Sequence, residues 1–328
     1  MQRRTLIAAG ALGLGSLAGL RGTSAAGGRL HGGAALAFGT TISVVVRHDD
    51  ADTARLAIGD ALAVVARVHH LMSIHDPRSE VFRLNRDGVL RSPDPRLLEV
   101  LQHARALSQL SHGAFDITVQ PLWQAGREAA NRGGVPTLAE RERARALAGW
   151  RDVEASRERV TLRRPGMRVT LNGMAQGYAA DLALRAVRRH GIRDALLDTG
   201  EFAPMGDAGG RQWTLGVLDP RADGGLAAAF AADGRCVATS GDYGSAFTAD
   251  FRHHHIIDPA TGLSPPELAS VTVLAPTALE ADGLSTAFMV MGAHSAHALA
   301  TRLPGVDLLT INKGGHVWRS HGFPALRT

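Results

Sequence analysis

The chain predicts an α+β fold, mainly antiparallel sheets with packed helices. Three observations predict it. Stretches in the first half place apolar residues at helical spacing. From Trp150 onward, short β-branched runs follow one another through links too short for parallel crossovers. No repeat of fixed period and no long linker divides the chain, so 36–328 read as one domain. At 328 residues and 45% hydrophobic content, a sizeable core can form.

Taken in order, the N-terminus has the three parts of an export signal. Arg3-Arg4 precedes an uncharged stretch, Thr5 to Leu20, and then the small residues Thr23-Ser24-Ala25-Ala26. Paired arginines and a weakly apolar middle favour the twin-arginine route, which assigns 1–26 to a signal segment. The stretch is shorter than the roughly 20 residues a spanning helix needs. The segment is therefore expected to be cleaved or to hold the protein loosely at the membrane, in the periplasm or on the outer face of the cytoplasmic membrane. Residues 27–35 are Gly-rich and expected to be disordered. Thr40 to Arg47 reads as a strand, and Asp52 to Leu71 as an amphipathic helix. Asp76-Pro77 turns the chain, and Ser79 caps a short helix.

Pro95 to Leu110 is a helix, ended by Gly113 in a left-handed cap. Phe115 then reads as core and Asp116 as a turn cap, unless they face a ligand. Residues 127–136 read as a surface loop, and Thr137 caps a helix to Leu147. Strands are expected at 150–154, 159–163 and 167–171, followed by a helix from Met174 to His190. Further strands follow at 195–198, 213–218, 227–231, 235–239, 270–274, 306–311 and 315–318. Helices at 279–291 and 293–302 complete the set.

Charge narrows the function. The formal net charge is +5, and three of the arginines, Arg3, Arg4 and Arg21, lie in the leader. Basic residues are not interleaved with aromatics, which argues against nucleic-acid binding. Lone Cys236, flanked by apolar residues, reads as a buried thiol with no internal disulfide partner.

The chemistry gathers in two stretches. Ala238-Thr239-Ser240-Gly241-Asp242-Tyr243 and His253 to Gly262 are dense in hydroxyls, carboxylates and imidazoles. Asp282 and Thr286 stand four apart, so a helix puts both oxygens on one side. A carboxylate and a hydroxyl there suit Mg²⁺, although an Asp near a helix start is also an ordinary cap. Asp242 and Asp258 could support the metal or take a proton, and His255 could contact phosphate or polarise a nucleophile. His253 and His254 read as exposed strand residues. Strand alternation would separate His254 from its neighbours, which argues against a three-histidine metal site.

Five blocks in order resemble the flavin transferases that attach FMN covalently to proteins, the thiamine-biosynthesis-lipoprotein-like or FAD:protein FMN transferase family. They are Met72-Ser73-Ile74-His75-Asp76-Pro77 with Ser79-Glu80 and Leu84-Asn85; Gly113 to Val119; Leu171 to Asp181; Thr239 to Gly262; and Asp282 to Thr286. The resemblance spans about Met72 to Gly292. It implies a single flavin-transferase-like catalytic domain. It also implies transfer of FMN from FAD to a Thr or Ser of an exported redox protein, releasing AMP.

Carried over by position, the flavin and adenosine contacts would be Met72, Ala114, Phe115, Asp116, Thr170, Gln176 and Ile256. The metal ligands would be Asp282, Thr286 and the Gly173 carbonyl, with His255, Asp258 and Asp242 as catalytic candidates. His75 stands where the family is commonly aromatic, and Thr170 and Gln176 are neutral where it often carries charge. Hydrolysis of FAD to FMN and AMP in the same site, or non-catalytic flavin binding and delivery, are the alternative readings.

Overall fold

Nine-residue strands at the N-terminus begin a large antiparallel sheet. A computed structural model of the protein describes residues 28–222 and 224–327. The expected signal segment lies outside them. Strand β1 (Arg29–Ala37) pairs along its length with β2 (Thr40–His48), and β2 pairs in turn with β6 (Asp194–Asp198). The stretch expected to be disordered is therefore an edge strand. Its glycines do not prevent pairing, because β2 supplies a continuous β-branched partner.

Helix α1 (Ala51–Met72) starts at Asp50, whose carboxylate accepts the Asp52 and Thr53 N–H groups. Helix α2 (Glu80–Asp87) is capped by Ser79, as read, and Gly88 ends it in the left-handed region. After β3 (Val89–Arg91) comes α3 (Pro95–Leu110), followed by Gly113 at φ +90°. The polar stretch read as a loop from 127 belongs up to Asn131 to α4 (Gln120–Asn131), whose apolar side is buried. Helix α5 (Leu138–Arg145) carries a capping box between Thr137 and Glu140.

The strands expected around 150–163 are shorter: a 3₁₀ turn at Trp150–Asp152, then β4 (Val153–Ala155) and β5 (Arg159–Leu162), which form a small sheet with β3. The stretch expected as a strand at 167–171 lies outside any sheet. Its partner is a side chain: Asn85 Nδ2 donates to the Val169 carbonyl (2.8 Å) and Asn85 Oδ1 accepts the Val169 N–H (2.7 Å).

Helix α6 (Ala175–Arg189) leads to β6, and β7 (Phe202–Met205), absent from the sequence reading, returns beside it. Strands β8 (Thr214–Leu218) and β9 (Leu226–Ala231) pair with each other. Strands β10 (Cys236–Gly241) and β11 (Leu268–Ala275) then sit at the middle of the large sheet. Helix α7 (Ala278–Ala300) combines the two expected helices and breaks where they were divided, at Gly292 (φ 77°, ψ 167°). Strands β12 (Asp307–Asn312), β13 (Val317–Arg319) and β14 (Leu326–Arg327) finish the chain.

The eight-stranded sheet runs β1-β2-β6-β7-β10-β11-β12-β13. Alternation along each strand divides its two faces. One carries Val44, Leu197, Ala238 and Val273 into the main core under α1, α6 and α7. The other carries Leu196, Phe202, Val237 and Leu274 against the three-stranded sheet β14-β9-β8. Among the described residues no helix is long and apolar enough to cross a membrane.

Helices α6 and α7 pack closely at Gly177, where an added Cβ would collide with the Ala278 carbonyl and press on the Asp282 Cβ. Gly177→Ala should therefore separate the two helices and cost about 3 kcal/mol, more than an ordinary overpacked position because backbone is struck. Urea unfolding of the variant checks this; wild-type stability would mean the crossing is not tight.

Candidate functional site

The same crossing forms one wall of a cavity. Five further segments complete its lining: 114–120 except Thr118, with Trp123; Thr170 with Asn172 and Gly173; Gly200-Glu201; Thr239 to Gly244 except Asp242; and His255 to Ile257. Helix α7 contributes Asp282, Thr286 and Val290. Of the residues expected from sequence, Ala114, Phe115, Asp116, Thr170, Gly173, His255, Ile256, Asp282 and Thr286 all meet there.

Asp282 lies beyond the first turn of α7 and is only 3% exposed. It is therefore not a cap; Thr277 holds that position. Its Oδ2 accepts the Gly177 N–H at 3.0 Å, which ties the carboxylate to the start of α6. Thr286 follows one turn later. A Cβ added to Gly173 would lie 3.0 Å from Thr286 Oγ1 and 3.4 Å from the Phe115 ring, so glycine gives this backbone room to pass close to α7. The donors are thus one carboxylate, one hydroxyl and nearby backbone carbonyls, a hard-oxygen set. Among the described residues no cluster of three or more His, Cys, Asp or Glu could hold a metal ion.

Asp116 both lines the cavity and holds a turn. Oδ1 accepts from the Thr118 N–H (2.7 Å) and hydroxyl (2.6 Å), and Oδ2 from the Trp150 N–H (3.0 Å). Burial nevertheless pushes its carboxyl above the usual range, against the pull of those donors.

Four expected residues do not line the cavity. Met72 ends α1 inside the core, 2% exposed, where apolar burial outweighs any ligand contact. Gln176 is also buried: its side-chain Nε2 donates to the Thr199 main-chain carbonyl (2.5 Å), and the Thr199 hydroxyl donates to the Gln176 main-chain carbonyl (3.1 Å). That exchange spends the amide on fixing the Gly200-Glu201 turn rather than on a ligand. Asp242 is fully buried and held by Arg221 through two 2.8 Å hydrogen bonds, with Lys313 at 3.6 Å. A carboxylate so paired serves as an anchor, not as a base facing the cavity. Asp258 caps its own turn, accepting from the Ala260 N–H and the Thr261 hydroxyl, both at 2.9 Å.

The histidines differ from the expected strand pattern. Residues 251–257 run as irregular chain with a single bridge between Ala246 and His254, so strand alternation does not govern them. His253 is half-buried, and His254 is fully buried rather than exposed. His255 reaches the cavity, on a loop pinned by Lys313 Nζ donating to the Phe251 carbonyl (2.7 Å) and by Arg221 stacked on the Phe251 ring (4.5 Å).

Sequence reasoning passed over Glu201, 4% exposed in the cavity wall, although it follows Gly200 in the turn after a strand. Trp123 and Tyr243 also line the cavity; burial, Asp242 and Glu201 push the Tyr243 hydroxyl up to about 12. No pattern marks Trp123, which lies within an amphipathic helix. Next to the turn, Asp198 Oδ1 accepts the Gly200 N–H (2.9 Å), and burial pushes that carboxyl up to about 7.

A model described as the ApbE family matches residues 38–310. The FAD:protein FMN transferase of Salmonella typhimurium (strain LT2) is 31% identical over 274 residues, 79% of this chain and 77% of that protein. The protein of the same name from Treponema pallidum (strain Nichols) is 31% identical over 252 residues, 70% of this chain and 69% of its own. The crystal structure of the ApbE protein from Thermotoga maritima superposes with TM-score 0.81 at 30% identity, covering 89% of this chain and 97% of that one. The flavin transferase ApbE from Vibrio cholerae gives 0.78 at 26% identity, covering 90% and 99%.

His254 yields a test of the loop. Burial first, and then the Lys313 charge, push its imidazole from 6.5 down to about 4. The unfolded chain takes up the proton first, so stability from the neutral ring is complete above pH 6.5 and falls as pH drops toward 4. The expected loss is about 3 kcal/mol across that window, at roughly 1.36 kcal/mol per unit. Denaturation of wild type and His254→Gln from pH 7 to 4 should show the variant with the flatter profile. Parallel profiles would place the titrating group elsewhere.

Proposed function

The chain belongs to the ApbE family, and on that premise we propose that its cavity binds FAD and passes the FMN half to a Thr or Ser hydroxyl of a target protein, releasing AMP, with Mg²⁺ bound beside the pyrophosphate. One observation carries the metal reading. The cavity lining includes three acids, Asp116, Glu201 and Asp282, and neither arginine nor lysine. A pyrophosphate entering it meets carboxylates without protein cations to balance it. Asp282, Thr286 and the Gly173 carbonyl are the oxygens that would hold Mg²⁺, which favours one or two carboxylates shared with substrate phosphates. When bound, the cation supplies neutralisation of the charge that grows on the leaving phosphate.

The chain's own groups supply the remainder. The cavity wall orients the dinucleotide, and the turn held by Gln176 and Asp198 keeps Glu201 in place. His255 is the imidazole in the cavity lining and is assigned to take the proton. The acceptor hydroxyl oxygen attacks the phosphorus of the FMN half, its proton passes to His255, and the bond to the AMP oxygen breaks. Water in place of the hydroxyl would give free FMN.

Asp282→Asn tests the site better than alanine, because an amide oxygen can still accept the Gly177 N–H. AMP release at ordinary Mg²⁺ should fall roughly 100-fold or more, the scale for losing a main electrostatic stabiliser. Thr286→Ala should be milder, since water can replace a neutral oxygen. The assay follows AMP and protein-bound FMN against Mg²⁺, with circular dichroism as the folding control. Folded Asp282→Asn with wild-type turnover and Mg²⁺ requirement would overturn the assignment.

We also propose that Arg3-Arg4 directs export, so that the acceptor is an exported redox protein and the leader gives at most loose membrane association. Changing both arginines to lysine should leave a tagged protein in the cytoplasm. Normal export of that variant, followed by cell fractionation, would refute the twin-arginine route.

A further inference from the structure

We propose that Ser240 and Ser285 are positioning residues that fix the direction of the Thr286 hydroxyl and so turn its lone pairs toward the cavity. The inference rests on the reading of Thr286 as a cation ligand. It comes from a chain of hydroxyls between β10 and α7. Ser240 Oγ lies 2.8 Å from Ser285 Oγ and 3.2 Å from Thr286 Oγ1, and Ser285 Oγ donates to the Asp282 main-chain carbonyl at 2.9 Å.

Each hydroxyl has one proton to give and can accept through its lone pairs, whereas a carbonyl only accepts. That rule orders the whole chain. Ser285 spends its proton on the Asp282 carbonyl, so Ser240 must be the donor between the two serines. Ser240 has then spent its proton, so Thr286 must be the donor to Ser240. The order is Thr286 to Ser240 to Ser285 to the Asp282 carbonyl.

The consequence falls on the side of Thr286 that faces Gly173. Its proton is drawn toward Ser240 on β10, leaving its oxygen lone pairs for the cavity that Gly173 and Asp282 also line. A hydroxyl without this chain can rotate its proton toward a cation, and that orientation must be undone before binding. Successive donors also polarise one another. Ser285 is buried, at 1% exposure, in α7, and Ser240 lies next to the last residue of β10. Asp282 thus enters the arrangement twice, by its carboxylate in the cavity wall and by its carbonyl at the end of the chain.

A serine bonding back within a helix can be merely structural. The test therefore reads metal dependence and coupling instead of turnover. Equilibrium binding of FAD is measured while Mg²⁺ is titrated, and again in EDTA. The proteins are wild type, Ser240→Ala, Ser285→Ala, Thr286→Ala and the Ser240→Ala/Thr286→Ala double variant. Losing one oriented hydrogen bond should raise the half-saturating Mg²⁺ about 5- to 10-fold in Ser240→Ala and about 2- to 3-fold in Ser285→Ala. In EDTA, Ser285→Ala, whose side chain does not line the cavity, should bind FAD as wild type does. With Thr286 already alanine, Ser240→Ala should add nothing further, since the two act through one bond.

Should Ser240→Ala not fold, Ser285→Ala reports on the same chain. A wild-type Mg²⁺ midpoint in folded Ser240→Ala overturns the proposal, as does a shift that persists in full without the Thr286 hydroxyl. FAD binding by wild type that ignores Mg²⁺ would overturn the cation reading and this proposal with it. Wild-type dependence with unmoved serine variants would overturn this proposal alone.

Discussion

The close crossing of α6 and α7 is the constraint on which the site depends. Gly177 allows it, because any side chain there would strike the Ala278 carbonyl. Two carboxylates then tie the helices together. Asp181 on α6 accepts the Ala278 and Leu279 N–H groups at 2.9 and 3.0 Å, placing an acid at the positive end of α7. Asp282 on α7 accepts the Gly177 N–H in return. These reciprocal contacts set the register of the two helices, and with it the height of Asp282 and Thr286 above the sheet. The segment leading into α6 carries Gly173 past Thr286, so backbone and side-chain oxygens approach one another without a dedicated loop.

Charge is sorted around that crossing. The cavity wall has carboxylates and no Arg or Lys, while Arg221 and Lys313 lie behind it on buried Asp242. Lys313, the lone lysine of the sequence, adds its charge to the burial that depresses His254, and holds the Phe251 carbonyl. The cations therefore shape the loop that presents His255 and do not line the cavity. A buried pair of this kind is retained for geometry at least as much as for net stability.

Elements with strong local signals were legible in the sequence. Helix α3 matches its expected bounds, Ser79 and Thr137 cap as read, and Gly113 and Gly292 adopt left-handed φ where the helix patterns broke. The misreadings share one cause: tertiary partners override local composition. Glycine-rich β1 is ordered by β2, the polar end of α4 by burial of its other face, and the chain near Val169 by the Asn85 side chain in place of a strand. His254 reads from the sequence as an exposed strand residue; the fold instead buries it.

By itself the sequence determined the family resemblance, the α+β class and the order of the blocks. It also placed Asp282 and Thr286 on one helix face, since a separation of four residues is a property of the helix alone. The tertiary structure alone decided which polar groups remain for a ligand. Gln176, Asp242 and Asp258 carry suitable chemistry, yet each is already engaged by Thr199, by Arg221 and Lys313, or by its own turn. Glu201 and the Ser240–Ser285 pair gained their places because strands and helices distant in sequence converge on one cavity. A hydrogen-bonding group satisfies whichever partner the fold brings within about 3 Å, and sequence spacing does not encode that distance.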